Sequence, residues 1–401
     1  MRLELKKGRA VLLKGPASAS LESGAVEVFG HRPRRGESVL VKPWKTVPIT
    51  ALEDSTVVLS LGTGSSHEEL DFDPIPESWR RLADSLGEKF RVMALGRVDS
   101  GKTSVLLTLL NGSVSRGEVH FVDLDVGQGE ICPPTTVGYA RAGSSTHALY
   151  GLRAEAVYAF GFTSPSLCVG RSVAVARRVL QDLAGSERVL IDVDGWIDGD
   201  DAVLHKSELI RAVRPTHVLL MGIEPPEEMR RAIEGVGAEA VFLERPETMA
   251  SRSREERKRA REMRTSNAFR ESSVRQLVKS WIRYSTVFSD SYLDDPEPYF
   301  EEAVLDAERH GVDAALLAPD EFDASPDLRK AGVGLLSYVL DERFRVLSLA
   351  MLMGFVKSRN AVRILTSYRD AVRHLKLGAV FLSSDFQELH VFRPSERGCT
   401  G

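Results

Sequence analysis

The sequence predicts an α/β protein in which a mostly parallel sheet is covered by helices and carries a mostly β domain before and after it. Three observations predict this class. Between residues 90 and 243 short apolar runs alternate with helical stretches, the pattern of parallel strands joined by crossover helices. From Met1 to Leu61, and again from Val333 onward, short β-rich runs are broken by turn residues. Where the first of the middle runs ends stands Gly96-Arg97-Val98-Asp99-Ser100-Gly101-Lys102-Thr103, which meets the spacing of a phosphate-binding P-loop at every fixed position. The class is therefore a P-loop NTPase parallel sheet flanked by N-terminal and C-terminal mostly β domains.

A length of 401 residues exceeds one ordinary core and suggests two or three domains. Residues 1–73 read as an N-terminal β domain, 74–289 as the P-loop domain with an arginine-rich lid at about 250–270, and 290–401 as a C-terminal mostly β domain. A hydrophobic fraction of 43% with 27% charged residues is that of a globular chain. The net charge of -4 means that any nucleic-acid site must come from a local basic cluster. Cys132, Cys168 and Cys399 are odd in number and widely spaced, which fits neither a disulfide framework nor a zinc site, so a reducing cytoplasm is expected. Met1 to Lys7 lacks the apolar run of a signal peptide. The greasiest window, Val346 to Val356, is about half a membrane span and reads as a buried strand, so no membrane is expected.

In the N-terminal domain the expected strands are Ala10-Leu13, Ala25-Phe29, Ser38-Val41 and Thr56-Leu61. Gly62 to Asp73, rich in glycine, serine and acidic residues, reads as a linker, and Glu77 to Leu86 as a helix. The run Phe90 to Leu95 is short and apolar enough for a buried parallel strand, and Ser104 to Leu110 reads as a helix closed by Asn111-Gly112. Strand, glycine-bounded loop and helix are the order a phosphate cradle requires, because the loop N–H groups and the positive end of the helix form one anion site. Gly96, Val98, Asp99, Ser100, Gly101, Lys102, Thr103 and Ser104 are accordingly the candidate nucleotide-binding residues. Lys102 would reach the β- and γ-phosphates of ATP or another NTP, and the Thr103 hydroxyl would ligate Mg²⁺.

The next strand, His120 to Asp125, ends in a carboxylate at a strand's C-terminal edge, where it can hold Mg²⁺ or its water. Val126-Gly127-Gln128-Gly129 then turns the chain and Pro133-Pro134 stops it. Further buried strands are expected at Ala156-Phe160, Val189-Val193, Thr216-Met221 and Ala240-Leu243, with helices at Ser172 to Ala184 and Ala202 to Ala212. On a helix spanning Ser251 to Arg264, the residues Arg254, Arg257, Arg261 and Arg264 fall along one stripe, while Glu255, Glu256 and Glu262 point elsewhere. Stacked like charges destabilise an isolated helix, so an uncompensated stripe suggests an external anion. A phosphoryl group in flight suits planar guanidinium groups, with Arg257 and Arg261 the leading candidates. The bland reading is a solvated charged helix. Farther on, Ser273 to Ile282 reads as helical, Asp290 to Pro298 as a boundary, and Gly334-Leu340, Phe344-Phe355, Ala361-Thr366, Lys376-Leu382 and Leu389-Phe392 as strands.

The Gly-x4-Gly-Lys-Thr loop, Leu124-Asp125-Val126-Gly127-Gln128, the turn Asp194-Gly195-Trp196 and the arginine-rich stretch after Leu243 occur here in the order found in the Clp1/Grc3 polynucleotide 5′-hydroxyl kinases, which the chain resembles over nearly its whole length. The resemblance implies transfer of an NTP γ-phosphate to the 5′-hydroxyl of RNA or DNA, with RNA-processing proteins as partners. It implies that Asp125 acts as base or metal-water ligand, that Trp196 stacks on the terminal nucleotide, and that lid arginines close over the phosphates. Gln128, Asp194, Arg254 and Arg264 are assigned with Trp196 to the substrate side. The family's threonine two residues before the turn glycine is Val193 here. Two other readings compete: an ATP-bound, catalytically weak scaffold of an RNA-processing complex, and a regulatory GTPase, the latter weakened because the chain has no Asn-Lys-x-Asp motif.

Overall fold

The computed structural model describes residues 1–246, 248, 252–313 and 333–393; Cys399 and the expected first residue of the lid helix, Ser251, lie outside the described residues. The chain divides into two compact units, one comprising residues 1–125, 139–155 and 180–260, the other 126–138, 156–179 and 261–401.

The first unit begins with eight strands: β1 (Arg2–Leu5), β2 (Ala10–Lys14), β3 (Ala17–Ser23), β4 (Val26–Glu27), β5 (Ser38–Val41), β6 (Thr46–Ala51), β7 (Ser55–Leu61) and β8 (Ser66–Leu70). They form two four-stranded sheets, ordered β1-β7-β3-β5 and β4-β6-β2-β8. Exposed and buried residues alternate along β1 and β5, as expected of strands with one face on a core. The expected linker is shorter than read, because β8 pairs antiparallel with β2 from Ala10↔Leu70 to Lys14↔Ser66. Its polar composition, Ser-His-Glu-Glu-Leu, hid an edge strand whose side chains face water.

Helix α1 (Glu77–Ser85) leads into β9 (Phe90–Gly96), α2 (Lys102–Ser113), β10 (Val119–Leu124), β11 (Thr136–Ala142), β12 (Ala154–Ala159), α3 (Val169–Asp182), β13 (Arg188–Val193), α4 (Asp200–Val213), β14 (His217–Met221), α5 (Glu227–Gly235), β15 (Glu239–Leu243) and α6 (Arg254–Ala268). The sheet order is β12-β11-β10-β13-β9-β14-β15. The neighbours from β10 to β15 are parallel. Every residue of β13 is buried, which is why it reads as an apolar run interrupted only by Asp192 after its first residue, Arg188.

Two departures from the sequence reading have local causes. Asn111-Gly112 does not end α2. The Asn111 amide donates to Phe29 O and Thr146 O at 2.8 and 2.9 Å and accepts from Thr146 N, so it is a buried tether. A Cβ on Gly112 would come within 2.8 Å of Ala83 Cβ, so the glycine sets how closely α1 and α2 pack. Strand β11 escaped notice because Gly138 interrupts its apolar pattern; a Cβ there would meet Ala156 O at 2.2 Å.

The second unit contains β16 (Ser273–Val278), β17 (Arg283–Thr286), β18 (Ser289–Leu293), α7 (Glu297–Arg309), β19 (Gly334–Leu340), β20 (Val346–Val356), β21 (Ala361–Thr366), β22 (His374–Leu382) and β23 (Glu388–Val391). Its eight-stranded sheet runs β16-β21-β20-β19-β22-β17-β18, with β23 beside β22. The expected helix at Ser273 to Ile282 is instead β16 and a short 3₁₀ turn. The run Ser-Val-Arg-Gln-Leu-Val alternates in exposure with period two and pairs with β21. Strand β20 is the expected buried strand. Among the described residues no helix is long and apolar enough to cross a membrane.

Candidate phosphoryl-transfer site

The loop between β9 and α2 is shaped by close approach. A Cβ on Gly96 would meet Ser100 Oγ at 2.6 Å and Met221 Cβ at 2.8 Å, and Gly101 takes the N-cap of α2 at φ 99°. Helix α2 has no side-chain N-cap bond and no acid in its first turn, so its N-terminal dipole is available to an anion. Lys102 is 7% exposed, and its Nζ donates to Gly96 O and Arg97 O, each at 3.0 Å. Thr103 Oγ1 donates to Asp192 Oδ2 at 2.6 Å.

Asp192 is a site residue that the sequence reading passed over. Its Oδ1 is buried without a hydrogen-bond partner among the described residues. Burial pushes its carboxyl up to about 7, against the pull of Lys102 and Thr103, and the charges of Asp125 and Asp123 push the same way. Its signal was available: a lone acid inside the apolar run Val189 to Val193 is expensive unless it has a task. Asp123 lies opposite Asp192 in the β10/β13 register, and Asp125 follows just beyond β10, half-buried, with its N–H donating to Asp123 Oδ1 at 3.2 Å. Three carboxylates thus gather at the C-terminal edge of neighbouring parallel strands, the edge at which open α/β sheets bind ligands.

The turn after β13 reaches the same loop. A Cβ on Gly195 would meet Val98 N at 2.5 Å, so only glycine lets the turn pack on the P-loop. Asp194 Oδ1 accepts from Trp196 N at 2.9 Å, and its Oδ2 accepts from Lys206 Nζ at 2.5 Å. Burial pushes the Asp194 carboxyl up, but Lys206, His205 and the Trp196 N–H outweigh it and hold it below the usual carboxylate range. Both oxygens of Asp194 thereby hold the turn in shape. The half-buried Trp196 ring stacks on His205, with centroids 5.6 Å apart and planes at 26°.

Helix α6 begins with a capping box that the sequence reading also missed. Ser253 N donates to Glu256 Oε2 at 2.7 Å, and Glu256 N donates to Ser253 Oγ at 3.1 Å, which starts α6 at Arg254. Just before it, Arg252 binds Asp99, the loop residue at φ 55°. Arg257 Nη1 shares that carboxylate at 3.4 Å and also donates to Arg252 O. Arg254 is exposed.

The remaining predicted residues belong to the second unit. Gln128 Nε2 donates to Gly127 O at 2.9 Å. Arg261 forms a two-pronged ion pair with Glu388 at 2.8 and 3.0 Å, and Arg264 donates to Cys132 O. The arginine stripe is therefore not uncompensated, as the sequence suggested: Asp99 and Glu388, distant in sequence, neutralise its two central members.

A parallel sheet with a phosphate loop after one strand and carboxylates at the ends of its neighbours defines a P-loop nucleotide-binding protein. Residues 96–271 match the family model described as mRNA cleavage and polyadenylation factor CLP1 P-loop. The chain is 27% identical to a polyribonucleotide 5′-hydroxyl-kinase of Pyrococcus furiosus over 327 residues, 77% of this chain and 92% of that one. It is also 27% identical to a polyribonucleotide 5′-hydroxyl-kinase of Thermococcus kodakarensis over 345 residues, 80% of this chain and 97% of the relative. With Clp1 of Gallus gallus, named a polyribonucleotide 5′-hydroxyl-kinase, it shares 28% identity over 232 residues, about half of each. The solved structure of a Clp1p–Pcf11p complex shares its fold, with a TM-score of 0.66 at 14% identity, covering 94% of this chain and 97% of that one. The likeness to Clp1-type polynucleotide kinases expected from the sequence is upheld.

Proposed function

We propose that this protein is a polynucleotide 5′-hydroxyl kinase that transfers the γ-phosphate of ATP, or of another NTP, to the 5′-hydroxyl of RNA or DNA. The observation that carries the proposal is the convergence of Lys102, Thr103, Asp125 and Asp192 on one sheet edge beside a P-loop. Loop N–H groups from Gly96 to Ser104 cradle the phosphates, and Lys102 exchanges its two carbonyl partners for β- and γ-phosphate oxygens. Thr103 and Asp125 would hold Mg²⁺, and the buried, unpartnered Asp192 Oδ1 beside Thr103 fits a cation or its water there. Bound Mg²⁺ would neutralise charge on the phosphate oxygens.

Asp125 orients the 5′-hydroxyl and accepts its proton as the oxygen bonds to Pγ and the bond from Pγ to the bridging oxygen breaks, releasing the nucleoside diphosphate. Arg257 and Arg261 stabilise the charge on the transferring group. Trp196 stacks on the terminal base, with Gln128, Arg254 and Arg264 contacting the polynucleotide and Asp194 holding the turn. An RNA-processing protein is the proposed partner, and the cytoplasm the proposed location. The kinase names of the relatives favour turnover over an ATP-bound scaffold. The test is incubation with γ-labelled ATP and a 5′-hydroxyl oligonucleotide, RNA or DNA, with and without Mg²⁺. Label at the 5′ end that phosphatase removes is expected; ATP binding with no labelled product would establish the scaffold reading.

A further inference from the structure

Away from the phosphate loop, three side chains of the first unit bring metal-binding atoms together. His31, Glu37 and His147 each offer one ligand atom, and these atoms all lie within 4.8 Å of one another. They come from three places in the chain: the turn after β4, the approach to β5 and the segment following β11. His31 is 7% exposed. Its Nε2 lies 2.9 Å from Glu37 Oε1, and its Nδ1 lies 2.9 Å from Ser145 Oγ. The other Glu37 oxygen accepts from Arg34 N at 2.9 Å. His147 Nε2 is buried with no hydrogen-bond partner among the described residues.

A hydrogen-bonded His31–Glu37 pair would explain two of these groups but leaves the third without a purpose. An orphaned imidazole nitrogen is unfavourable in a protein interior unless something else binds it. We propose that His31 Nε2, Glu37 Oε1 and His147 Nε2 form a binding site for one divalent transition-metal ion, with zinc the best match. Two imidazoles and one carboxylate suit zinc, whereas Mg²⁺ takes an all-oxygen shell. Bonds of about 2.0–2.1 Å in tetrahedral array separate ligand atoms by roughly 3.3 Å, so the present cluster closes around an ion with side-chain shifts of about 1 Å. With an ion bound, Ser145 would supply the outer contact: Nδ1–H of His31 would donate to its hydroxyl, leaving Nε2, which otherwise donates to Glu37, to ligate.

The site has a place in the architecture. Asn111 of α2 already ties Phe29 to Thr146, and the ion would tie His31 and Glu37 to His147 in the same two segments. Because α2 begins at the phosphate loop, the ion would act as a structural rivet behind the nucleotide site. A second histidine cluster, Asp306, His310 and His390, lacks this signature: His310 is exposed, and His390 Nε2 is satisfied by Asp306 at 2.7 Å. It serves as the control.

The test uses the full chain stripped of metal, then titrated with Co²⁺ and, in competition with a chromophoric chelator, with Zn²⁺. One equivalent is expected to bind, with the visible absorption of four-coordinate Co²⁺, and Zn²⁺ should raise the melting temperature. Both responses should vanish in His147→Ala and persist in His310→Ala. Ser145→Ala, which keeps all three ligands, should bind about 10–100-fold more weakly. Failure of the wild-type chain to bind Co²⁺ or Zn²⁺ would overturn the proposal. So would binding that Ser145→Ala and a folded His147→Ala leave unchanged.

Discussion

Arg252 clasps Asp99, donating its backbone N–H to Oδ2 at 2.9 Å and its Nε and Nη2 to Oδ1 at 3.1 and 2.9 Å. The contact ties the entry of α6 to the centre of the phosphate loop, at a residue held in left-handed conformation. The position of the helix entry and the shape of the loop are therefore coupled. Asp99→Asn tolerates the same backbone conformation but loses the charge that strengthens these bonds. Amide hydrogen exchange over the first turns of α6 is expected to rise by about tenfold, consistent with losing a charge-assisted contact. Exchange indistinguishable from wild type would show that the clasp does not secure the start of α6.

Arg261 is engaged by Glu388, and that pairing makes its role testable. If Arg261 acts on the transferring phosphoryl group, Arg261→Ala should cost about a thousandfold in kcat, with a smaller change in KM for ATP, and Arg257→Ala should behave alike. Glu388→Ala removes this ion pair and should leave kcat within about tenfold. Equal losses in Arg261→Ala and Glu388→Ala would make the pair structural.

Trp196 stacks on the fully buried His205. Trp196→Ala is expected to weaken oligonucleotide binding by about 10–100-fold, as loss of a base-stacking platform does, with partial rescue by Trp196→Phe and little change in ATP affinity. Parallel loss of thermal stability and of both ligands would reassign the indole to the core.

The same His205 predicts a pH dependence of stability. Burial, reinforced by Lys206, lowers its pKa to about 4 from 6.5. The unfolded chain then binds a proton that the folded chain refuses between those values. Stability contributed by keeping this imidazole neutral is intact above about pH 6.5 and is lost as the pH falls toward 4, by up to about 3 kcal/mol. Denaturant melts of His205→Gln should show a shallower decline than wild type across that window. Identical slopes would mean that His205 does not titrate as its burial requires.

The parallel core and the phosphate loop were legible because they obey short-range rules. Phe90 to Leu95 is apolar at every position but Arg91, and the glycines of the loop sit where backbone approach demands them. The line from Val346 to Val356 was equally plain. What escaped depends on partners distant in sequence. The Ser273–Val278 run became a strand because β21 offers it a register. Asn111 looked like a helix stop, yet Phe29 and Thr146 make it a helical tether. Asp192 gains meaning only when Thr103 is brought beside it, and Arg261 only when Glu388 is. Arg252 lay outside the stripe that the helical period singled out, because it precedes the helix.

Single-turnover transfer with Asp125→Asn tests the central claim most directly. The substitution keeps the shape of the side chain and removes the charge that accepts a proton or anchors a metal-bound water. With enzyme in excess and ATP, Mg²⁺ and a 5′-hydroxyl oligonucleotide at saturation, the variant should bind ATP and oligonucleotide yet transfer the γ-phosphate at least about a thousandfold more slowly than wild type. A wild-type rate of transfer would contradict the account and move the chemistry away from the carboxylate at the end of β10.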